Sequence, residues 1–299
     1  MTEHLEVHEV GPERSADVVA VVHAAFGARP RLDPPATATD ETTESAAQAL
    51  ASHRGLLATR GPLTVGAMLL EPEGAVLRMR RVSVHPDAQG DGVAGALVGR
   101  AERLAAEAGY DGLVLVARAE LPSTVRFWHH LGYDELSREG PMITLAKALP
   151  VERTTTSPEQ ARALAERLAA VLRAGDLVIL AGDLGAGLGV RGGVTSPTFV
   201  ISRVHPSLVG GPALVHVDAY RLGGIEELDD LDLDTSLDEA VTVVEWGEGV
   251  AEGLADTRLE VTITRALGDD PKGEDDPRHL RFTPVGARWI GAGLHDALA

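Results

Sequence analysis

Two glycine loops hold residue types suited to binding phosphate. The first is Gly182-Asp183-Leu184-Gly185-Ala186-Gly187, inside the run LAGDLGAGLGVRGG. Its outer glycines have the spacing of a phosphate-binding loop, G-x-x-x-x-G-K-S/T. In such a loop backbone N–H groups cradle the phosphates, the lysine reaches them and the hydroxyl holds magnesium. Here the two positions that follow are Leu188 and Gly189. Lysine occurs only at Lys147 and Lys272, so no lysine nearby in the chain replaces the missing one. Arg191 is the nearest cation, and its fork differs from a compact ammonium. The second loop is Gln89-Gly90-Asp91-Gly92-Val93-Ala94, within RRVSVHPDAQGDGVAGALVGRAERLAAEAGY. Small residues where a strand turns into a helix let N–H groups converge on an anion, and the helix start adds partial positive charge. A pyrophosphate fits such a cradle; a plain strand-to-helix turn is the other reading of the same glycines.

The elements that must position these loops follow from periodicity. SADVVAVVHAAF (Ser15–Phe26) predicts a helix with Ser15 at its N-cap, and Glu44–His53 a second. Strands are predicted at Leu56–Arg60, Thr64–Leu70 and Ala75–Val84, the last alternating apolar and basic residues over Val76–Val82. An amphipathic helix fits Val93–Ala108, followed by a buried strand at Gly112–Ala117, a helix at Ser123–Leu131 and a strand at Met142–Ala146. A boundary falls near Leu149–Pro158, giving domains at 1–150 and 151–299. Ser157-Pro158-Glu159-Gln160 reads as a capping box, opening a helix that runs to about Arg173 with Gly175 as its C-terminal cap. DLVILAG is a buried strand leading into the first glycine loop. Further strands are predicted at Thr198–Val204, Ala213–Asp218, Val241–Glu245, Leu259–Thr264 and Leu280–Thr283. The acidic run at Ile225–Glu239 reads as a solvated helix or loop, and Gly268–Arg278 as a surface loop.

Composition limits the function. The 299 residues are 44% hydrophobic but only 3% aromatic, so two cores must be built from Val, Leu and Ala. A net charge of −18 argues against a broad grip on nucleic acid, which needs a basic face. Cysteine is absent, which rules out disulfides and thiolate zinc sites. No run reaches the ~18 apolar residues of a membrane span, and MTEHLEVHEV has no signal-peptide pattern. The expectation is a soluble cytoplasmic protein with no membrane partner.

The run Arg80–Tyr110 resembles motif A of the GNAT acetyltransferases, Q/R-x-x-G-x-G/A between a strand and a helix. FWHHLGY (Phe127–Tyr133) is similar to that family's F-Y-x-x-x-G-F/Y segment, and the resemblance spans roughly residues 1–148. It implies acetyl-CoA as cofactor. Val82 and Val84 would bind the pantetheine arm through their backbones, and Gln89, Gly90, Asp91, Gly92, Val93 and Ala94 would hold the pyrophosphate. Attack by the amine would be direct, so the protein's task is positioning and proton transfer. Two departures bear on that task. Trp128 stands where the family often has a tyrosine acid, and Val116-Ala117-Arg118 stands where one branch has a glutamate-bearing run. Glu120 is the catalytic candidate, with His129 behind it, each acting through water. The acetyl acceptor is not readable.

GDLGAG, then TSPTF, H-x-D-x-Y-R-L and V-E-W-G-E, in that order, closely resemble the TsaE (YjeE) family over about residues 154–290. That family supplies the ATPase of bacterial tRNA threonylcarbamoyladenosine (t6A) synthesis. The resemblance implies ATP and Mg2+ as cofactors, with phosphoryl-transfer chemistry. Gly182–Gly187 would cradle the phosphates, and Thr195 would face the γ-phosphate from a switch-like loop. Asp218 would be the catalytic carboxylate, Glu245 would help hold magnesium, and Trp246 would pack near the nucleotide. TsaB- and TsaD-like subunits are the implied partners, with tRNA engaged only indirectly. Against the family pattern, about one helix is missing after Gly187, together with the Lys and Thr. A sequence error, a truncation and a divergence that keeps the scaffold are all open origins for that gap.

The expected architecture is therefore α/β throughout: a GNAT-like mixed sheet with helices, then a P-loop NTPase-like domain lacking the Lys-Thr and the helix after the phosphate loop. The leading function is t6A biosynthesis joined to acetyl transfer. The alternative is a non-catalytic assembly protein that keeps both folds.

Overall fold

Alternation along Leu63–Glu73 organises the first sheet. Ala67 and Leu69 point to one face, where they join Val18, Val21 and Val22 of a helix. Gly66 points to the other, where an added Cβ would stand 2.7 Å from Val93 and 2.9 Å from Leu97 of a different helix. The computed structural model describes residues 4–182, 202–207, 210–219, 238–265 and 277–299. It divides the chain into two compact units, Met1–Lys147 and Ala148–Ala299.

In the first unit, strands β1 (Leu5–Val10), β2 (Arg54–Arg60), β3 (Leu63–Glu73), β4 (Val76–Val84), β5 (Gly112–Arg118), β6 (Asp134–Glu139) and β7 (Met142–Ala148) form one sheet. Its order is β1-β2-β3-β4-β5-β7-β6. Helices α1 (Ser15–Gly27) and α2 (Thr43–Ser52) pack on the Ala67 face and α3 (Val93–Glu107) on the opposite one; α4 (Pro122–His130) follows β5. Neighbours are antiparallel from β1 to β4, but β4 and β5 run parallel. That parallel pairing covers only Val76–Arg78 against Gly112–Val114, so the remainder of each strand is unpaired with the other. Beyond it β4 carries a bulge. Arg81 and Val82 together oppose Met68, and Arg81 takes a left-handed φ of +53°. The Arg81 side chain is held there by Glu41 at 2.8 Å and by Thr37.

In the second unit, β8 (Val151–Thr155), β9 (Leu177–Gly182), β10 (Ser202–His205), β11 (Ala213–Asp218), β12 (Ala240–Glu245), β13 (Arg258–Arg265) and β14 (Arg278–Val285) form a sheet in the order β10-β11-β12-β9-β13-β14-β8. Strands β11, β12, β9 and β13 are mutually parallel. Val178 and Leu180 of β9 face a core with Leu164 and Leu168 of α5 (Pro158–Ala169) and Trp289. Leu177 and Ile179 face a second core with Val217, Val244 and Ala251. A parallel strand buried on both faces reads as an unbroken apolar run, which is why DLVILAG was legible. A short helix, α6 (Leu294–Leu298), closes the chain.

Three local expectations need correction. A 3-10 turn at Pro12–Arg14 runs into α1, so Arg14 holds the N-cap and Ser15 is the buried first residue. In the α5 cap, the Gln160 carboxamide accepts from the Thr156 N–H at 2.8 Å, one residue before the box position. Helix α5 ends at Ala169; Gly175, with φ +91°, serves the turn into β9. The cause is Asp176, 4% exposed, whose carboxylate accepts from the Arg173 N–H at 2.8 Å and from Arg288 at 2.9 and 2.7 Å. Arg288 also donates to the Val171 carbonyl at 3.0 Å. Breaking such a pair strands a buried charge. Arg288→Ala is expected to destabilise the second unit by about 3–5 kcal/mol in urea denaturation. A loss under about 1 kcal/mol, the worth of an exposed pair, would contradict this role.

Candidate functional sites

Where β4 and β5 stop pairing, a cavity of about 1060 Å³ opens in the first unit. Val82, Val84, Gln89, Gly90 and Ala94 line it. Gly90 (φ +87°) and Gly92 (φ +79°) both adopt left-handed backbone, and Gly92 is the N-cap of α3. Nothing lies within 4 Å of where a Cβ would stand on either, so the space over the helix start is open. The N–H groups of the first α3 turn have no partners within the helix and face this region. The other loop residues do different work. Val93 is buried against Gly66 and anchors the helix, while the Asp91 carboxylate is tied to Arg60 of β2 at 2.6 Å.

Glu120 lies away from the cavity lining. Its carboxylate accepts from Arg118 at 3.1 and 2.7 Å, and this pairing holds its carboxyl below the usual range. A carboxylate engaged at both oxygens is a poor base, so the geometry gives Glu120 a positioning role toward Arg118. Arg118 in turn donates to the carbonyls of Pro34 and Asp33, both at 2.8 Å, and clamps the loop after α1 to the end of β5. His129 is exposed and also outside the lining. Trp128 does line the cavity; it is buried edge-on between Phe127 and Tyr133, each 5.2 Å away between ring centres. Tyr133 is fully buried, and its hydroxyl donates to Glu102 at 3.1 Å, an oxygen that Lys147 also reaches at 2.8 Å. Burial and the Glu102 charge push the Tyr133 phenol far up, which removes it as a proton donor. Among the described residues, the ionisable side chains that line the cavity are all arginines: Arg29, Arg78, Arg80, Arg81 and Arg118.

In the second unit the parallel register brings Asp218 of β11 level with Glu245 of β12, and Glu245 level with Leu180 of β9. Gly182 ends β9 two residues further on. The rest of the first glycine loop, Asp183, Leu184, Gly185, Ala186 and Gly187, lies outside the described residues, as does Thr195. In open α/β sheets ligands bind beyond the carboxyl ends of the strands, which is where these carboxylates stand. His216, two residues before Asp218, brings Nε2 to 3.3 Å from the Glu245 carboxylate; the pattern H-x-D held this contact, which periodicity alone did not assign. Trp246 follows directly, with φ +60° and its N–H donating to the Leu180 carbonyl at 3.0 Å. That conformation leaves the indole 40% exposed at the same edge. Gly247 allows the turn: a Cβ there would meet Val244, Ala251 and Ile179 at 2.9–3.1 Å. Among the described residues no group of three His, Cys, Asp or Glu is placed to share a metal ion. Two adjacent carboxylates suit magnesium, which takes one or two protein carboxylates and completes its shell with phosphate and water.

Comparison with known proteins assigns both halves. Residues 155–270 match the family model described as threonylcarbamoyl adenosine biosynthesis protein TsaE, and residues 52–135 match that of the acetyltransferase (GNAT) domain. A Streptomyces coelicolor protein named tRNA threonylcarbamoyladenosine biosynthesis protein TsaE is 58% identical over 145 residues, covering 44% of this chain and 96% of that one. The Bacillus subtilis protein of the same name is 37% identical over 147 residues, covering 45% of this chain and 86% of its own. Among solved structures, the PaiA N-acetyltransferase of Thermoplasma acidophilum in complex with coenzyme A aligns with 48% of this chain and 99% of its own, at 13% identity and a TM-score of 0.44. With nearly the whole of a relative more than half identical to it, the chain belongs to the TsaE family of tRNA threonylcarbamoyladenosine biosynthesis proteins, and it carries a GNAT acetyltransferase domain ahead of the TsaE part.

Proposed function

We propose that the second unit serves t6A biosynthesis as the nucleotide-binding partner of TsaB- and TsaD-like subunits, and that the first unit moves an acetyl group from acetyl-CoA to an amine. The register match of Asp218 with Glu245, at the carboxyl ends of β11 and β12 and level with the end of β9, which precedes GDLGAG in sequence, carries the first half of this reading. Bound ATP would supply the phosphoryl group, and magnesium the charge that offsets its phosphates. Asp218 would orient water or cation, Glu245 would hold the cation with His216 fixing its carboxylate, and Trp246 would cover one side of the nucleotide. Gly182–Gly187 would offer backbone N–H groups to the phosphates.

The grip is incomplete at one point. Leu188 and Gly189 supply neither the ammonium nor the hydroxyl of an intact loop. The match to the Streptomyces relative runs over 145 positions yet takes up only 44% of 299 residues, so that relative has residues within the span that face none here. This supports a missing segment. A charge-assisted hydrogen bond contributes about 1.5–3 kcal/mol, so losing the lysine alone costs about ten- to a hundredfold in affinity. Calorimetry with Mg-ATP is expected to show binding well weaker than micromolar, and a variant with a Lys-Thr-bearing helix inserted after Gly187 is expected to recover it. Micromolar affinity in the unaltered chain would contradict the reading.

For the first unit, acetyl-CoA would supply the acyl thioester. The α3 start with Gly90 and Gly92 would receive the pyrophosphate. The backbone of Val82 and Val84, beyond the bulge and free of β5, would be open to the pantetheine arm. Among the described residues the lining holds no carboxylate, histidine or tyrosine, so protons would leave through water. Gly92→Val places a branched side chain in the open space and strains the left-handed cap. It is expected to weaken acetyl-CoA binding about tenfold or more while the circular dichroism spectrum is unchanged. Unchanged affinity in a folded variant would argue against this cradle.

A further inference from the structure

Four of the five arginines that line the cavity are each neutralised by a glutamate. Arg78 pairs with Glu73, Arg80 with Glu71 at 2.5 Å, Arg81 with Glu41 at 2.8 Å, and Arg118 with Glu120 at 2.7 Å. Arg29 differs. Its guanidinium lies over the Phe26 ring, 3.8 Å from the ring centre, and among the described residues no carboxylate is paired with it. A guanidinium stacked on a ring keeps its in-plane N–H fork free, and that fork matches a carboxylate in bidentate fashion. Burial holds Arg29 below its ordinary basicity, as expected of a partly desolvated cation with no counter-charge.

Its location separates it from the pyrophosphate cradle. Arg29 follows α1, which packs on the Ala67 face of the sheet, whereas Gly90 and Gly92 open α3 on the Gly66 face. The cavity is lined from both sides, because β4 and β5 part between them. The loop that carries Arg29 onward is also pinned. Arg118 holds the Asp33 and Pro34 carbonyls, and Arg81 reaches Thr37. Arg29 is thus a fixed, uncompensated cation on the face opposite the cofactor's phosphates.

We propose that Arg29 recognises the acceptor, and that the amine acetylated by the first unit carries a carboxylate. This rests on the acetyltransferase reading. An anionic group could come instead from a phosphate of the cofactor itself, and the test separates the two.

The full-length chain is assayed for thiol release from acetyl-CoA with a panel of amino acids and their α-amides. Wild type is expected to prefer the free acids about tenfold or more, and Arg29→Gln to lose that preference through a raised acceptor KM at unchanged acetyl-CoA KM. A preference that survives Arg29→Gln, or equal use of acids and amides, overturns the proposal. So does a variant whose only defect is in acetyl-CoA KM, since the anion would then be the cofactor's phosphate. A second measurement does not depend on turnover. Phenylglyoxal is expected to modify Arg29 faster than the four paired arginines, by peptide mass analysis, with N-acetylated amino acids protecting it and their amides not. Absence of protection by the free acids overturns the proposal. Acetyl-CoA binding measured by calorimetry stands apart: its failure would remove the acetyltransferase reading while the protection of Arg29 is still read on its own.

Discussion

Both units depend on parallel strand pairing, which delivers carboxyl ends to one edge. In the second unit four parallel strands set Leu180, Glu245 and Asp218 at one level, with Trp246 following Glu245 directly. Little else is needed to gather two carboxylates, the end of β9 and an indole from distant parts of the sequence. In the first unit the same pairing is made and then abandoned after three residue pairs. The opening exposes the β4 backbone beyond the bulge and joins the two faces of the sheet. One unit uses the aligned ends of a continuous parallel sheet; the other uses the gap left where a parallel pair comes apart.

Much of this was legible in the residues. The apolar run DLVILAG announced a buried strand, Val241–Glu245 a further strand, and glycines at 90 and 92 the turn from a strand into a helix. Strand β6 was not legible, because DELSRE is exposed throughout and has no alternation to read. The early end of α5 was also hidden, since it is set by a pairing between Asp176 and Arg288 across more than a hundred residues. At the site, single-residue chemistry misled in one place. Glu120 looked like an available carboxylate until its two oxygens were found on Arg118. Arg29 had no signal in sequence, because an unpaired cation is recognised only once every neighbour is placed.

Charge gives the two halves different characters. A net charge of −18 argues against a broad grip on nucleic acid. Yet, among the described residues, five arginines of the first unit line one cavity, four are offset by glutamates, and Arg29 has no paired carboxylate. In the second unit Asp218 and Glu245 stand level at the carboxyl ends of their strands, and the sequence has Leu188 and Gly189 where an intact phosphate loop has its lysine and hydroxyl. Family membership thus stands beside a sequence that lacks the lysine and hydroxyl of an intact phosphate loop.

The central claim is that the second unit still acts in t6A biosynthesis through Asp218. The most direct measurement is the t6A content of tRNA, by mass spectrometry, in bacteria depleted of their own TsaE and supplied with this chain or with its Asp218→Ala variant. The account predicts that t6A returns with the unaltered chain and stays absent with the variant. Equal t6A in both, or none in either when both are expressed and folded, would contradict it.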